Sequence, residues 1–426
     1  MLAHTVMATA DIWYLAKLGQ TELAGAGIAM TGTFTVLCFG IGFLGAVRIL
    51  IAQAEGAGTL DAYANLPWVA ICCAVICGLG AFCLAPQAET VMEWLATPGQ
   101  VSAFGAEYFR IRMYGALGVF VSIACFGWFD GQGQTKIGMR IMVTANFINI
   151  LLDPILIFGM GPISALGVEG AAWATVCAQW FQGLAALYFL VKHRPPVLVK
   201  PLPGFPDLRL IRSLVKIGGP LGIQMVMEVL GFAAFAFMIA HFSELHLAVS
   251  NVMVRVSSLA FLPCYGLSQG ASILAGQALG RNDRNAVKAT LRASIQLGGA
   301  LMLFLGGMFI CFDEFWVSLF RTEPEFIELG VALLAIVALT QIIDALVMGF
   351  VGVLNGLGDT RFTMYAGICT SWLIMIPFAW FLCHRLGLGA MGPWASTTIQ
   401  VSVMSLLLWR RWRTLLKRPI WSVTAG

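Results

Sequence analysis

Charge is what this chain has least of. Its 25 Lys and Arg and 21 Asp and Glu make up 11% of 426 residues, against about 25% in a soluble domain. Too little polar surface remains to hold a globule of this size in water. Histidine is scarce, at five residues, and the eleven cysteines lie almost all in apolar runs. Cys72, Cys73, Cys77 and Cys83 lack the paired spacing of a zinc site, so they read as small lipid- or helix-facing side chains. No His/Cys/carboxylate metal motif and no nucleophile elbow occurs, which weighs against a membrane-embedded enzyme. The Ala8–Ala10 triplet has no preceding Lys or Arg to make the basic start of a signal peptide, so the first helix is expected to be retained. A net charge of +4 gives no reason to expect a nucleic-acid partner.

What fills the chain is apolar: 59% hydrophobic residues and a mean hydropathy of +0.86. Since one span needs about 20 apolar residues, the chain reads as an all-α membrane protein with the lipid bilayer as its surroundings. Apolar runs broken by Gly, Pro and charge predict twelve transmembrane helices near 1–17, 22–53, 64–86, 101–129, 136–159, 166–191, 210–241, 246–277, 285–312, 326–355, 362–383 and 389–412. The first, with about 17 residues before Gly19, is at the low end of a spanning length, as a misplaced start site would make it.

One long polar interruption, Lys192–Arg212, divides the chain. It holds five of the sixteen prolines and five basic residues, the composition of an extended solvated linker. The flanks repeat each other. Ile49–Gly56 (ILIAQAEG) and Ile273–Gly280 (ILAGQALG) share five of eight residues at an offset of 224. Asp130–Lys136 (DGQGQTK) matches Asn355–Arg361 (NGLGDTR) at 225, and Leu166, Gly167 and Gly170 answer Leu388, Gly389 and Gly392. Three matches in one order indicate a duplication. The predicted organisation is an amino-terminal lobe over 1–191, a cytoplasmic linker over 192–208 and a carboxy-terminal lobe over 209–426 with a basic tail. Six helices per lobe make the repeats enter the membrane in the same direction, so the two six-helix bundles are expected to be related by a pseudo-two-fold axis along the membrane normal. With the amino terminus inside, 19 of the 25 basic residues fall on the cytoplasmic side, and the positive-inside rule then places both termini and the linker there.

Charge deep in a span costs several kcal/mol even on the lenient insertion scale, so intramembrane carboxylates mark function. Asp11, Asp153, Glu228 and Asp344 occupy the first, fifth, seventh and tenth predicted helices. Three have a polar neighbour on the same helical face: Asn149 four residues before Asp153, Gln224 four before Glu228, Gln341 three before Asp344. Pro154 offers no amide to Ile150, which frees a carbonyl beside Asp153. Carboxylate, amide oxygen and free carbonyl suit sodium; a buried carboxyl suits a proton equally well. Arg255 is read as the one basic residue deep in a span, with a salt bridge to one of the acids as its expected role. His4 and His241 read as polar end groups.

Several segments together resemble the multidrug and toxic compound extrusion (MATE) family of secondary transporters, of the bacterial NorM-like or DinF-like type. They are ADIWYLAKLGQTELAGAG, ILIAQAEGAG, GQGQTK with NFINILLDPILIFG, GVEGAAWAT, GGPLGIQMVMEVLGF, ILAGQALGRND and TQIIDALVMGFVGVLNGLGDTRF. The resemblance implies a V of two six-helix bundles, an amino-lobe cation site at Asp11, Asn149, Asp153 and Thr175, and carboxy-lobe acids at Glu228 and Asp344, with Gln224 and Gln341 beside them, for cation or substrate.

The expected function is export of amphipathic, often cationic, organic small molecules in exchange for protons or sodium by alternating access, without a cofactor beyond the coupling ion, in a monomer of the inner membrane. A lipid-linked precursor flippase is the nearest alternative; it would call for a more strongly cationic cavity.

Overall fold

A computed structural model describes residues 2–94, 99–162, 164–192 and 207–417. The linker prolines Pro195, Pro196, Pro201, Pro203 and Pro206 lie outside the described residues, as does the side chain of His4. In lipid every backbone amide must be satisfied within its own segment or a closed sheet, and this chain answers with helices throughout. The first set is α1 (Leu2–Leu15), α2 (Gln20–Leu44), α3 (Ala46–Ala57), α4 (Leu66–Phe82), α5 (Ala88–Trp94), α6 (Gln100–Gly131), α7 (Thr135–Phe158) and α8 (Val168–Lys192). The second is α9 (Leu208–Ala240), α10 (Glu244–Gly280), α11 (Arg284–Cys311), α12 (Asp313–Ser318), α13 (Pro324–Gly356), α14 (Thr360–Thr370), α15 (Ile376–Trp380) and α16 (Met391–Leu416). Each of the twelve predicted segments is occupied by helix.

Three predicted helices have internal structure. The run 22–53 breaks at Gly45, whose carbonyl accepts from Arg48 Nε at 3.2 Å, so α2 and α3 share one span. Residues 64–86 begin after a 3₁₀ turn at Leu60–Tyr63. The run 362–383 contains π-helical stretches at Ser371–Met375 and Phe381–Arg385 on either side of α15; such widened turns recur at functional sites. Ten of the described helical segments are long and apolar enough to cross a membrane. The two that fall short are α1, whose 14 residues rise about 21 Å, and α16, which carries Arg410, Arg411 and Arg413 towards its end. The protein is a multi-pass membrane protein.

The chain forms two compact units, and they divide inside α9. The first takes in 1–55 and 59–222, the second 56–58 and 223–425. The boundary therefore lies past the proline-rich segment, because the first half of α9 belongs to the first core: Leu210, Leu214 and Ile217 are buried there. Glycines let it approach. A Cβ on Gly222 would lie 2.8 Å from the Phe39 carbonyl oxygen, and one on Gly42 would lie 2.6 Å from that of Leu221.

Each unit repeats the same glycine contacts. In the first, α6 lays Gly127 and Gly131 against Val47, Arg48 and Ile51 of α3; in the second, α13 lays Gly352 and Gly356 against Ser268 and Ser272 of α10. Arg48 and Ser272 are related by the offset of 224. The following turns need left-handed backbone at Gly133 (φ 80°) and Gly358 (φ 83°), and again at Gly167 (φ 57°) and Gly389 (φ 53°), which only glycine adopts without strain. The duplication read in the sequence is thus a duplication of backbone approach.

Candidate functional site

In the first unit α1 packs on α7 and α8, and α8 packs on α6. That arrangement brings together four residues that are far apart in the chain. Asp11 is 3% exposed, Thr175 3%, and Asn149 and Asp153 are fully buried. Thr175 Oγ1 lies 3.3 Å from Asp11 Oδ2 and donates as well to the Ala171 carbonyl at 3.0 Å. Asn149 Nδ2 donates to Asp153 Oδ1 at 3.4 Å, as their spacing of one helical turn predicts. Asp153 and Asn149 also act electrostatically on Asp11. Two carboxylates so close repel strongly unless a positive charge lies between them. Three acceptors here, Asp11 Oδ1, Asp153 Oδ2 and Asn149 Oδ1, are buried without a partner, and buried acceptors left unsatisfied cost about 1–3 kcal/mol each. The cluster is chemically fitted to take up a proton or small cation.

Two residues of α6 complete the cluster and were not singled out in the sequence. Tyr108 is 1% exposed, and its hydroxyl is within the electrostatic influence of Thr175 and Asp11. Arg112 follows one turn later on the same face, within electrostatic range of both Asp11 and Tyr108. Its Nε and one terminal nitrogen are buried without a partner. The available signal was position: Arg112 lies twelve residues into α6, about 18 Å along it, too deep for a residue of the outer rim. Its neighbour Arg110 is different, lining a surface recess with Glu89, Glu93 and Glu107, since residues two apart on a helix point in nearly opposite directions.

The second unit holds the other predicted residues in a looser set. Gln224 donates to Glu228 Oε1 at 2.9 Å, and Glu228 and Asp344 interact through their charges. Glu228 is exposed and Asp344 half-buried. Gln341 does not pair with Asp344; its amide donates to the Ser257 carbonyl of α10 at 3.2 Å, and Asp344 instead lies near Cys264. The π-helical stretch borders this region: Trp372 Nε1 donates to the Met227 carbonyl at 3.4 Å. Arg255 corrects a second expectation. It is exposed on α10 and enters none of the described ion pairs, and the arginine whose charge reaches an acid of the first unit is the half-buried Arg112 instead.

Comparison with known proteins agrees with this architecture. The MatE family model matches residues 1–155 and 220–381. A probable multidrug resistance protein NorM of Bradyrhizobium diazoefficiens is 29% identical over 98% of this chain and 91% of its own length. A second, from Agrobacterium fabrum, is 27% identical over 98% and 92%. Among solved structures, an outward-facing multidrug resistance MATE family transporter of the MOP superfamily superposes with a TM-score of 0.91 at 21% identity, covering 98% of this chain and 94% of that one. A MOP superfamily transporter from Pyrococcus furiosus gives the same TM-score, identity and coverage.

Proposed function

The chain belongs to the MatE family, and from that premise we propose that it is a secondary active exporter of amphipathic, often cationic, organic compounds, driven by proton or sodium exchange at the amino-terminal cluster. The observation that carries the reading is the buried set of Asp11, Asn149, Asp153 and Thr175 with its three unpartnered oxygens. A bound cation neutralises the repulsion between the two carboxylates, so the helices that hold them, α1 and α7, pack differently loaded and empty. Coupling needs nothing more than an ion that binds one conformation better than the other. Glu228 and Asp344, one exposed and one half-buried, suit the recognition of positively charged substrates. The protein works as a monomer in the inner membrane, with both termini and the Lys192–Asp207 segment cytoplasmic, and uses no cofactor beyond the coupling ion.

The test is efflux of ethidium from proteoliposomes under separately imposed proton and sodium gradients. Export that follows one of these gradients and stops when it is collapsed is the expected result. Equal ethidium flux in both directions, indifferent to either gradient, would replace the exporter with a passive pathway.

A further inference from the structure

Arg112 is the part of the amino-terminal cluster that the reading above does not use. A guanidinium with two buried, unpartnered nitrogens beside three buried, unpartnered oxygens is unusual, because the two sets would satisfy each other if they met. They do not meet: Arg112 forms none of the described ion pairs, although its charge reaches Asp11. The charged and titratable groups of the cluster are Asp11 from α1, Asp153 from α7, and Tyr108 and Arg112 from α6; α8 contributes Thr175. Glu22 of α2 lies apart, lining a recess with Glu107 and Glu169. With both carboxylates ionised, the cluster carries a net charge of −1.

We propose that Arg112 is a specificity-determining residue of this site: a fixed internal cation that takes the electrostatic place of a metal ion, so that the cluster refuses sodium. The inference rests on the amino-terminal cluster being the coupling site. Sodium needs several oxygen ligands and a negative field, and a positive charge within electrostatic range of Asp11 repels it where screening by water is weak. A proton needs only one carboxylate oxygen and leaves the cluster neutral, with Asp11 or Asp153 protonated and the other balanced by Arg112. Sodium would leave the same net charge, so it is the ligand demand and the field of the guanidinium, not the charge count, that favour the proton as the coupling ion. The unpartnered guanidinium nitrogens have a role in the same scheme: when the proton leaves, Arg112 is the donor that can move onto the vacated carboxylate and draw α6 towards α1.

Binding of radioactive sodium to the purified full-length protein at alkaline pH tests this, with Asp11→Asn/Asp153→Asn as background. The wild type is expected to bind no sodium above that background. Arg112→Gln should gain saturable binding, with affinity raised at least about tenfold, the scale of removing one nearby buried like charge. Arg112→Lys, which keeps the charge, should behave as wild type; a merely structural arginine would not separate Lys from Gln in this way. Saturable sodium binding by the wild type, lost in the double variant, overturns the proposal, and this arm needs no substitution at position 112. A folded Arg112→Gln protein that still binds no sodium overturns it as well. Failure of the underlying reading is distinguishable: there, Asp11→Asn/Asp153→Asn would export ethidium at the wild-type rate.

Discussion

Asp11 and Asp153 are 3% and 0% exposed, whereas Glu228 is exposed and Asp344 half-buried, although the two units share one framework of glycine contacts. The acids are not copies of each other. The repeat offsets carry Asp11 onto Phe235 and Asp153 onto Phe378, while Thr175 falls on Thr397. Phe235 is 3% exposed and packs edge-on against Trp394 at 5.5 Å, so the place that holds a carboxylate in the first unit holds aromatic core in the second. Duplication preserved the backbone, which is constrained by close approach, and let the buried polar chemistry diverge. A buried pair of carboxylates is suited to exchanging an ion, and a more accessible pair to meeting a solute.

The largest effect that separates the two regions should come from Asp11→Asn/Asp153→Asn. These neutral isosteres keep the packing but remove both charges, and gradient-driven ethidium export is expected to fall about a hundredfold or more, the scale of two charged hydrogen-bonded contacts of about 1.5–3 kcal/mol each. Normal membrane levels with full export would remove the distinction altogether. Glu228→Gln and Asp344→Asn should act more narrowly, weakening apparent affinity for cationic substrates about three- to tenfold while leaving neutral ones within about twofold, since solvent-exposed charge contacts are worth about 1 kcal/mol or less. Concentration dependence of efflux for one cationic and one neutral dye reads this directly. Equal losses for both dyes would make the second unit a coupling site too.

The shared framework has its own test. Gly133→Val and Gly358→Val force a β-branched residue into left-handed backbone and should each cost about 1–2 kcal/mol, seen as lower melting temperatures in detergent. Alanine substitution or short insertion between Lys192 and Asp207 should change stability by less than about 0.5 kcal/mol. Matching sensitivity in the two places would undo the contrast between tight turn and expected linker. A modest effect should come from Asp359→Asn. It breaks a bidentate pair with Arg411, at 2.6 and 3.2 Å, that ties the turn after α13 to α16; a partly exposed pair of this kind contributes about 1 kcal/mol. The first unit has Gln134 at the matching position, so no corresponding loss is expected from Gln134→Ala.

The sequence by itself determined that the chain spans the membrane repeatedly, because hydropathy and charge scarcity are additive properties of composition that no packing arrangement alters. It also determined the duplication, since glycines at points of backbone contact recur at fixed offsets, and it marked all four acids, since a carboxylate in an apolar run has no neutral explanation. Tertiary structure decided what periodicity could not carry. That Asp11 meets Asp153 and Thr175 depends on how α1, α7 and α8 pack, and no local spacing encodes a contact across 164 positions. That Gln341 turns to Ser257 rather than to Asp344 was decided by α10. Arg112 was visible as a letter but not as a member of the site, because which face of α6 is buried is set by its neighbours. The unit boundary at Gly222 followed the same rule: prolines and charges in the sequence mark an expected linker, while cohesion is decided by what the first half of α9 packs against.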